Sequence, residues 1–204
     1  MAGRPYHHGD LREALLVKAG QTLRTAGADA LSLRELARAV GVSHAAPRRH
    51  FEDKADLLKA LVAQGFQALG QSLTRAAGSD GDFAERLNRI AVGYVEFATD
   101  NPALVDLMSS STYLADAPAD LVAARESCFV PVVELIIDGQ SDGSVVGGNP
   151  RQISALLLAT LHGVATMTNN GMLDRPGADA VLIAVDMMMA GLAPRGADHS
   201  PPRD

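Results

Sequence analysis

The residues most suited to chemistry in this 204-residue chain gather in one short stretch: Ser43, His44, Ala45, Arg48, Arg49, His50 and Lys54. Arginine offers a planar fork of donors that matches a guanine edge or a phosphate, and alanine lets a backbone approach base edges closely. Other candidates carry less. Cys128 and His162 supply a thiol and an imidazole, yet neither stands in a local catalytic signature. His7 and His8 are adjacent in a terminal segment, a poor geometry for a metal. The Gly147-Gly148 pair lacks both the basic-hydroxyl dipeptide and the preceding strand of a phosphate cradle. The sequence therefore predicts no metal site, no cofactor and no catalytic residue.

Such side chains need an element to present them, and residues 32–51 predict one. Ser32 as N-cap with Glu35 three residues on forms a capping box, and Leu31 with Leu36 forms a hydrophobic staple. Leu33, Leu36, Ala37 and Val40 recur at helical spacing, so Arg34 and Arg38 face outward. Gly41 ends this helix and Ser43 caps the next, which spans about 44–51 with Val42 opposite position 47 as a second staple. Pro47 falls at the fourth position of that second helix, removing one N–H at a modest local cost. Two capped helices, a glycine turn and a basic second helix make a helix-turn-helix, the architecture of a DNA reader. A plain αα-hairpin is the alternative, disfavoured by the coincidence of all these signals.

Strand signals are nearly absent and aromatics are 4% of the chain, so the fold class is all-α with about nine helices. The net charge of -6 divides unevenly: nine Lys and Arg against six Asp and Glu in residues 1–54, and nine against eighteen in residues 55–204. A basic head on an acidic body orients the molecule toward phosphates. A single cysteine excludes an internal disulfide framework. No signal-peptide pattern or membrane-length apolar run is present, and the expected location is cytoplasmic with no membrane partner.

The expected organisation is a DNA-binding domain in 1–54, a helical ligand-binding and dimerisation domain in 55–193, and a disordered tail in 194–204. The first nine residues read as a flexible arm in which Arg4 touches DNA. Asp10 with Glu13 caps a first helix that Gly27 stops, and Asp53 caps a long helix connecting head to body. Further helices are expected over about 83–98, 103–113, 119–138 (kinked at Pro131), 150–169 with Asn149 as its cap, and 177–192.

At these residues the chain resembles a known family, the TetR-type transcriptional regulators. The likeness rests on Ser-Leu-Arg-Glu-Leu-Ala (32–37), Gly-Val-Ser (41–43), Arg-His-Phe (49–51) and Asp-Lys-Ala-Asp-Leu-Leu-Lys-Ala-Leu (53–61). Leu161-His162-Gly163 is similar to a subgroup that carries a Trp shortly before a His-Gly pair, although no Trp stands here. The resemblance implies a homodimer with an N-terminal reader and a ligand-binding body, and a phosphate contact for Lys54. The family usually has Leu-Tyr before Arg-His-Phe, the Tyr touching phosphate; Pro47 and Arg48 stand here, and Arg48 can reach phosphate in its place.

The resemblance further implies pairing of the last two helices with a second copy, through Ile153, Leu157, Leu161, Val164, Val181, Ala184, Met187, Met188 and Gly191. A small, largely apolar effector would be lined by Tyr94, Phe97, Met108, Tyr113, Phe129, Val132 and Met167, with His162 as polar anchor. For each of these residues alone, simple core packing is the commoner role. The function expected is a repressor released from a pseudo-palindromic double-stranded DNA operator by that effector. The alternatives are a DNA-binding dimer without effector and, a remote third, an enzyme using Cys128 and His162.

Overall fold

The structure, a computed structural model, describes residues 8–78, 80–173 and 178–192. Among them stand ten α-helices, two short 3-10 helices and no strand, so the chain is all-α. The helices are α1 (His8–Ala26), α2 (Leu33–Ala39), α3 (Lys54–Ala77), α4 (Phe83–Asp100), α5 (Pro102–Ser109), α6 (Ser111–Leu114), α7 (Ala119–Cys128), α8 (Val130–Asp142), α9 (Pro150–Asn169) and α10 (Ala178–Leu192). The 3-10 turns are Ala28–Ala30 and Pro47–Arg49. The arm with Arg4 and the tail beyond 193 lie outside the described residues.

Two compact units divide the chain. One unit joins the residues through Ala68 to Asn101–Glu126; the other joins Leu69–Asp100 to the described residues from Ser127 onward. The single helix α3 supplies both.

In the first unit, Leu15, Leu16, Ala19 and Leu23 of α1 bury one face together with Leu31, Leu36, Ala37, Phe51 and Leu57. Gly27 (φ 77°) ends α1, its N–H reaching the Leu23 carbonyl at 3.0 Å. The helix runs from His8, so His8 and Gly9 of the expected arm, and Asp10 after them, lie within it. Ser32 holds the extended cap conformation, but its hydroxyl caps nothing; Glu35 pairs with Arg38 instead. Leu31 and Leu36, the expected staple pair, are both buried. At the head of α3, Asp53 Oδ1 accepts the Asp56 N–H at 2.9 Å and Asp56 Oδ2 accepts the Glu52 N–H at 3.1 Å, satisfying two orphan donors.

The segment expected as one helix over 103–113 is two, α5 and α6, parted by Ser110 in an extended conformation (φ -75°, ψ 123°). Similarly, Pro131 does not kink a single helix over 119–138. The chain breaks at Phe129 (φ -100°, ψ 2°) and α8 starts afresh with the proline in its first turn, where a missing N–H has no partner to lose.

The second unit is built on α4, whose Phe83, Leu87, Ile90, Ala91, Tyr94, Val95 and Ala98 are buried. Against α4 pack α8, α9 and α10. A reciprocal capping box starts α4: Asp82 Oδ1 accepts the Glu85 N–H at 2.9 Å and Glu85 Oε2 the Asp82 N–H at 3.2 Å. Two arginines of α4 close the end of α3. Arg86 Nε donates to the Ala77 carbonyl at 3.1 Å and Arg89 Nε to the Ala76 carbonyl at 2.9 Å, while Arg86 also pairs with Asp138 of α8 at 3.0 Å. Gly139 lets α8 approach closely, since a Cβ there would stand 2.6 Å from the Phe83 ring and 2.7 Å from Val145. Asn149 caps α9 as expected, Oδ1 accepting the Arg151 N–H at 3.0 Å. No helix among the described residues is long and apolar enough to cross a membrane.

Candidate nucleic-acid interface

The residues expected to read DNA do not form an α-helix. Ser43 to Ala46 make a turn closed by the Ala46 N–H on the Ser43 carbonyl at 3.0 Å, and Pro47–Arg49 is a single 3-10 turn. Pro47 is the physical reason: it has no N–H to give the Ser43 carbonyl, so the cost is the α-helix itself rather than one bond within it. Pro47 and Phe51 are buried and fasten the segment to the core, while Ser43, His44, Ala45, Arg48 and Arg49 are exposed and His50 is half-buried. The guanidinium of Arg12 lies over the Phe51 ring, 5.4 Å from its centroid. The result is an exposed polar strip on two apolar anchors.

Around that strip, Arg34 is exposed on α2, and Arg38 is partly neutralised by Glu35. Lys54 has a structural partner that the sequence did not reveal. Its ammonium donates to the Asp29 carbonyl at 3.2 Å, tying the start of α3 to the Ala28–Ala30 turn with one of its three hydrogens.

The residues expected around an effector fall in both units. Tyr94 and Phe97 (α4), Phe129, Val132 (α8), and His162 and Met167 (α9) belong to the second unit; Met108 (α5) and Tyr113 (α6) belong to the first. Met108 is buried there against Gly65, its sulfur 2.7 Å from where a Cβ would stand. Met167 is 41% exposed. Tyr94 and His162 do meet: the phenol oxygen and Nδ1 are hydrogen-bonded at 3.2 Å. Burial, and secondarily the neighbouring Cys128, push the Tyr94 phenol up to about 12, so it stays protonated. Burial likewise pushes the Cys128 thiol up to about 12. A thiol held in that state is the opposite of an activated nucleophile.

The residues expected at a dimer interface also divide. Leu157, Leu161 and Val181 are covered by their own chain and have no surface to give a partner. Ile153, Val164, Ala184 and Met188 are half-buried, whereas Met187 and Gly191 are exposed. The apolar face left open runs one step round each helix: Leu156 (70% exposed) and Met167 on α9, Ile183 (60%) and Met187 (73%) on α10. Leu156, Thr160, Gly163 and Met167 stand at i, i+4, i+7 and i+11, a stripe that the sequence pattern alone did not single out.

An exposed cationic strip that follows α2, among described residues that are otherwise helical, suits the phosphates and base edges of DNA. Residues 15–61 match the bacterial regulatory proteins of the tetR family, and residues 87–192 match the tetracyclin repressor-like C-terminal domain. The chain belongs to the TetR family. It is similar over 94% of its length to all of a Rhodococcus sp. RHA1 protein of unknown function, with 39% identity and a TM-score of 0.84. The fold is shared with a TetR family transcription regulator from Marinobacter aquaeolei VT8, at TM-score 0.72 and 19% identity over 91% of this chain and 96% of that one. The nucleoid occlusion factor SlmA of Vibrio vulnificus strain YJ016 is 34% identical over 99 residues, 48% of this chain and 50% of that protein. The chain spans about half the length of the curated relatives it matches.

Proposed function

We propose that this DNA-binding regulator is a cytoplasmic homodimeric repressor that leaves a pseudo-palindromic operator when a small, largely apolar molecule enters its helical body. The carrying observation is the strip Ser43, His44, Ala45, Arg48 and Arg49, exposed together on the buried anchors Pro47 and Phe51. Short donors and two guanidiniums on a fixed base suit phosphate and base-edge contacts. The apolar stripe on α9 and α10 supports a second copy as partner, and two copies related by a dyad read an inverted repeat. For the effector, the support is Tyr94 and His162 as a hydrogen-bonded polar pair among the buried apolar residues of the second unit.

Sequencing the DNA that the protein selects from a random pool tests the first half: an inverted repeat with half-sites about one helical turn apart is expected, and sites without dyad symmetry refute it. Effector coupling is tested by reciprocity. A ligand that weakens operator binding tenfold, about 1.4 kcal/mol, must itself bind about tenfold more weakly to the operator complex. Equal ligand affinity with and without operator favours the second reading, a DNA-binding dimer with no effector. Partial similarity to a nucleoid occlusion factor is the observation behind that reading.

A further inference from the structure

The conformation of the DNA-reading strip turns on one hydrogen that Pro47 lacks. An α-helix through 43–51 needs the amide of residue 47 to reach the Ser43 carbonyl; here that carbonyl takes the Ala46 N–H at 3.0 Å. The Arg49 N–H then bonds the Ala46 carbonyl at 3.2 Å and the His50 N–H bonds the Pro47 carbonyl at 2.9 Å, both at 3-10 spacing, and the Phe51 N–H shares the Pro47 carbonyl at 2.9 Å with α spacing only where the turn ends. Ala46 already holds α-helical dihedrals, φ -62° and ψ -43°. The backbone before the proline is thus set to continue a helix, and what stops it is the proline, which lacks the donor and whose ring would meet the Ser43 carbonyl. The buried ring also fixes where the break falls, because the Pro47–Arg49 turn packs on α1 and α2.

The break changes what the exposed side chains can reach. In an α-helix, Arg48 and Arg49 would sit one turn above His44 and Ala45 on a shared face. A 3-10 turn advances about 120° and about 2.0 Å per residue, so the arginines no longer stack over that pair. We infer that Pro47 is the specificity-determining positioning residue of the reader: by denying the helix its bond it sets the angle between the His44–Ala45 pair and the Arg48–Arg49 pair, and so which base positions the arginines reach. The inference rests on the proposed reading that residues 43–50 face DNA, and its test separates the two.

Full-length wild type, Pro47→Ala, Pro47→Leu and the double variant Arg48→Ala/Arg49→Ala are each used to select DNA from a random pool at one salt concentration. Every protein is then titrated on every selected site. Both Pro47 variants are expected to gain an exchange-protected amide at position 47. Each should prefer its own half-site over the wild-type one by about fivefold or more, the span of one bidentate base contact. A purely structural role would lower affinity for all sequences alike and leave the ranking intact. The inference is overturned if both variants rank the sites as wild type does, within about twofold. It is also overturned if both lose their folded state, since Pro47 is then an anchor alone; one folded variant suffices for the ranking. Loss of binding by the double-arginine variant, with unchanged ranking in the Pro47 variants, keeps the DNA-facing reading and removes only this inference. Wild-type binding by the double-arginine variant removes both.

Discussion

Two exposed surfaces of this chain follow opposite rules. In the reader the apolar residues, Pro47 and Phe51, are buried, and what faces water is Ser43, His44, Ala45, Arg48 and Arg49. On α9 and α10 the exposed residues include Leu156, Met167, Ile183 and Met187. A solvated guanidinium costs nothing until a phosphate replaces its water. An exposed Leu, Ile or Met forgoes about 1.5–3 kcal/mol of burial. On the proposed reading, the cationic strip needs no apolar cover and suits an anion, whereas the α9–α10 face suits a second apolar surface.

The strongest way to break this contrast is to charge the apolar stripe. Ile183→Glu with Met187→Glu removes two apolar side chains from each protomer, four from a two-fold interface. The dimer dissociation constant is expected to rise at least about a hundredfold, and operator affinity to collapse with it. Sedimentation shows this directly, and a variant still dimeric at micromolar concentration moves the interface elsewhere. Leu161→Glu is the control. Leu161 is 1% exposed within its own chain, so its substitution should unfold the second unit rather than release a folded monomer.

Next in size is the reader. Arg48→Ala and Arg49→Ala should each weaken operator binding by about 1–3 kcal/mol if they touch base edges. If they touch phosphate, the loss is uniform across sequences and the salt slope falls by about one unit per residue. Circular dichroism should not change, since both side chains are exposed. Unaltered affinity at moderate salt for both variants would place the DNA face elsewhere.

How much of this contrast the sequence discloses depends on the range of the forces involved. Local ones are legible: the Asp53 cap, the Asn149 cap and the Gly27 stop all form within four residues of their signals. Even locally, geometry and bonding part company at Ser32, which takes the cap conformation while Glu35 pairs with Arg38. Pro47 and Pro131 show the next limit. Each removes one donor, yet α8 continues through Asp142 after Pro131, carrying buried Val132, Leu135 and Ile136, while only three residues separate Pro47 from the buried Phe51. Whether a proline truncates or restarts a helix depends on the length of apolar, helix-forming chain on its C-terminal side. Which side of α9 turns inward was not legible, because Leu156 and Leu157 are equally apolar. Contact with α4 and α8 decides that Leu157 is buried and Leu156 exposed. Tyr94 and His162 were identified singly, but their bond spans 68 residues and arises only from α4 packing on α9.

A smaller effect separates two helical glycines of the second unit. At Gly139 a Cβ would press on Phe83 and Val145, so Gly139→Ala should destabilise by about 1–3 kcal/mol despite its better helix propensity. At Gly163 nothing lies within 4 Å of that position. Gly163→Ala should raise the stability of the monomer by about 0.5–1 kcal/mol. Gly163, half-buried, lies between exposed Thr160 and Met167 on α9, so an interface that used a close approach there would weaken even as the monomer gains. Denaturation and sedimentation of the same variant give those two signs, and a gain in both excludes Gly163 from the contact.

The smallest expected effect tests the buried polar pair against the exposed polar strip. Tyr94→Phe deletes the hydroxyl that meets His162 and should cost about 0.5–1.5 kcal/mol at neutral pH without changing operator affinity in the absence of ligand. Its alkaline behaviour differs too. Well below pH 9 the Cys128 thiol and the Tyr94 phenol are protonated in folded and unfolded chains alike, and neither makes stability depend on pH. Above the ordinary thiol value of 9.0, and then the ordinary phenol value of 10.0, the unfolded chain releases protons that the folded one keeps until about 12. The unfolded state therefore binds fewer protons across that window, and stability falls as pH rises through it. Cys128→Ala should remove the part of the fall that begins near 9, and Tyr94→Phe the part that begins near 10. Urea denaturation of the three proteins at neutral pH and at about pH 10.5 resolves the two components. An alkaline fall as large in both variants as in the wild type would mean that burial of these two groups is not its source.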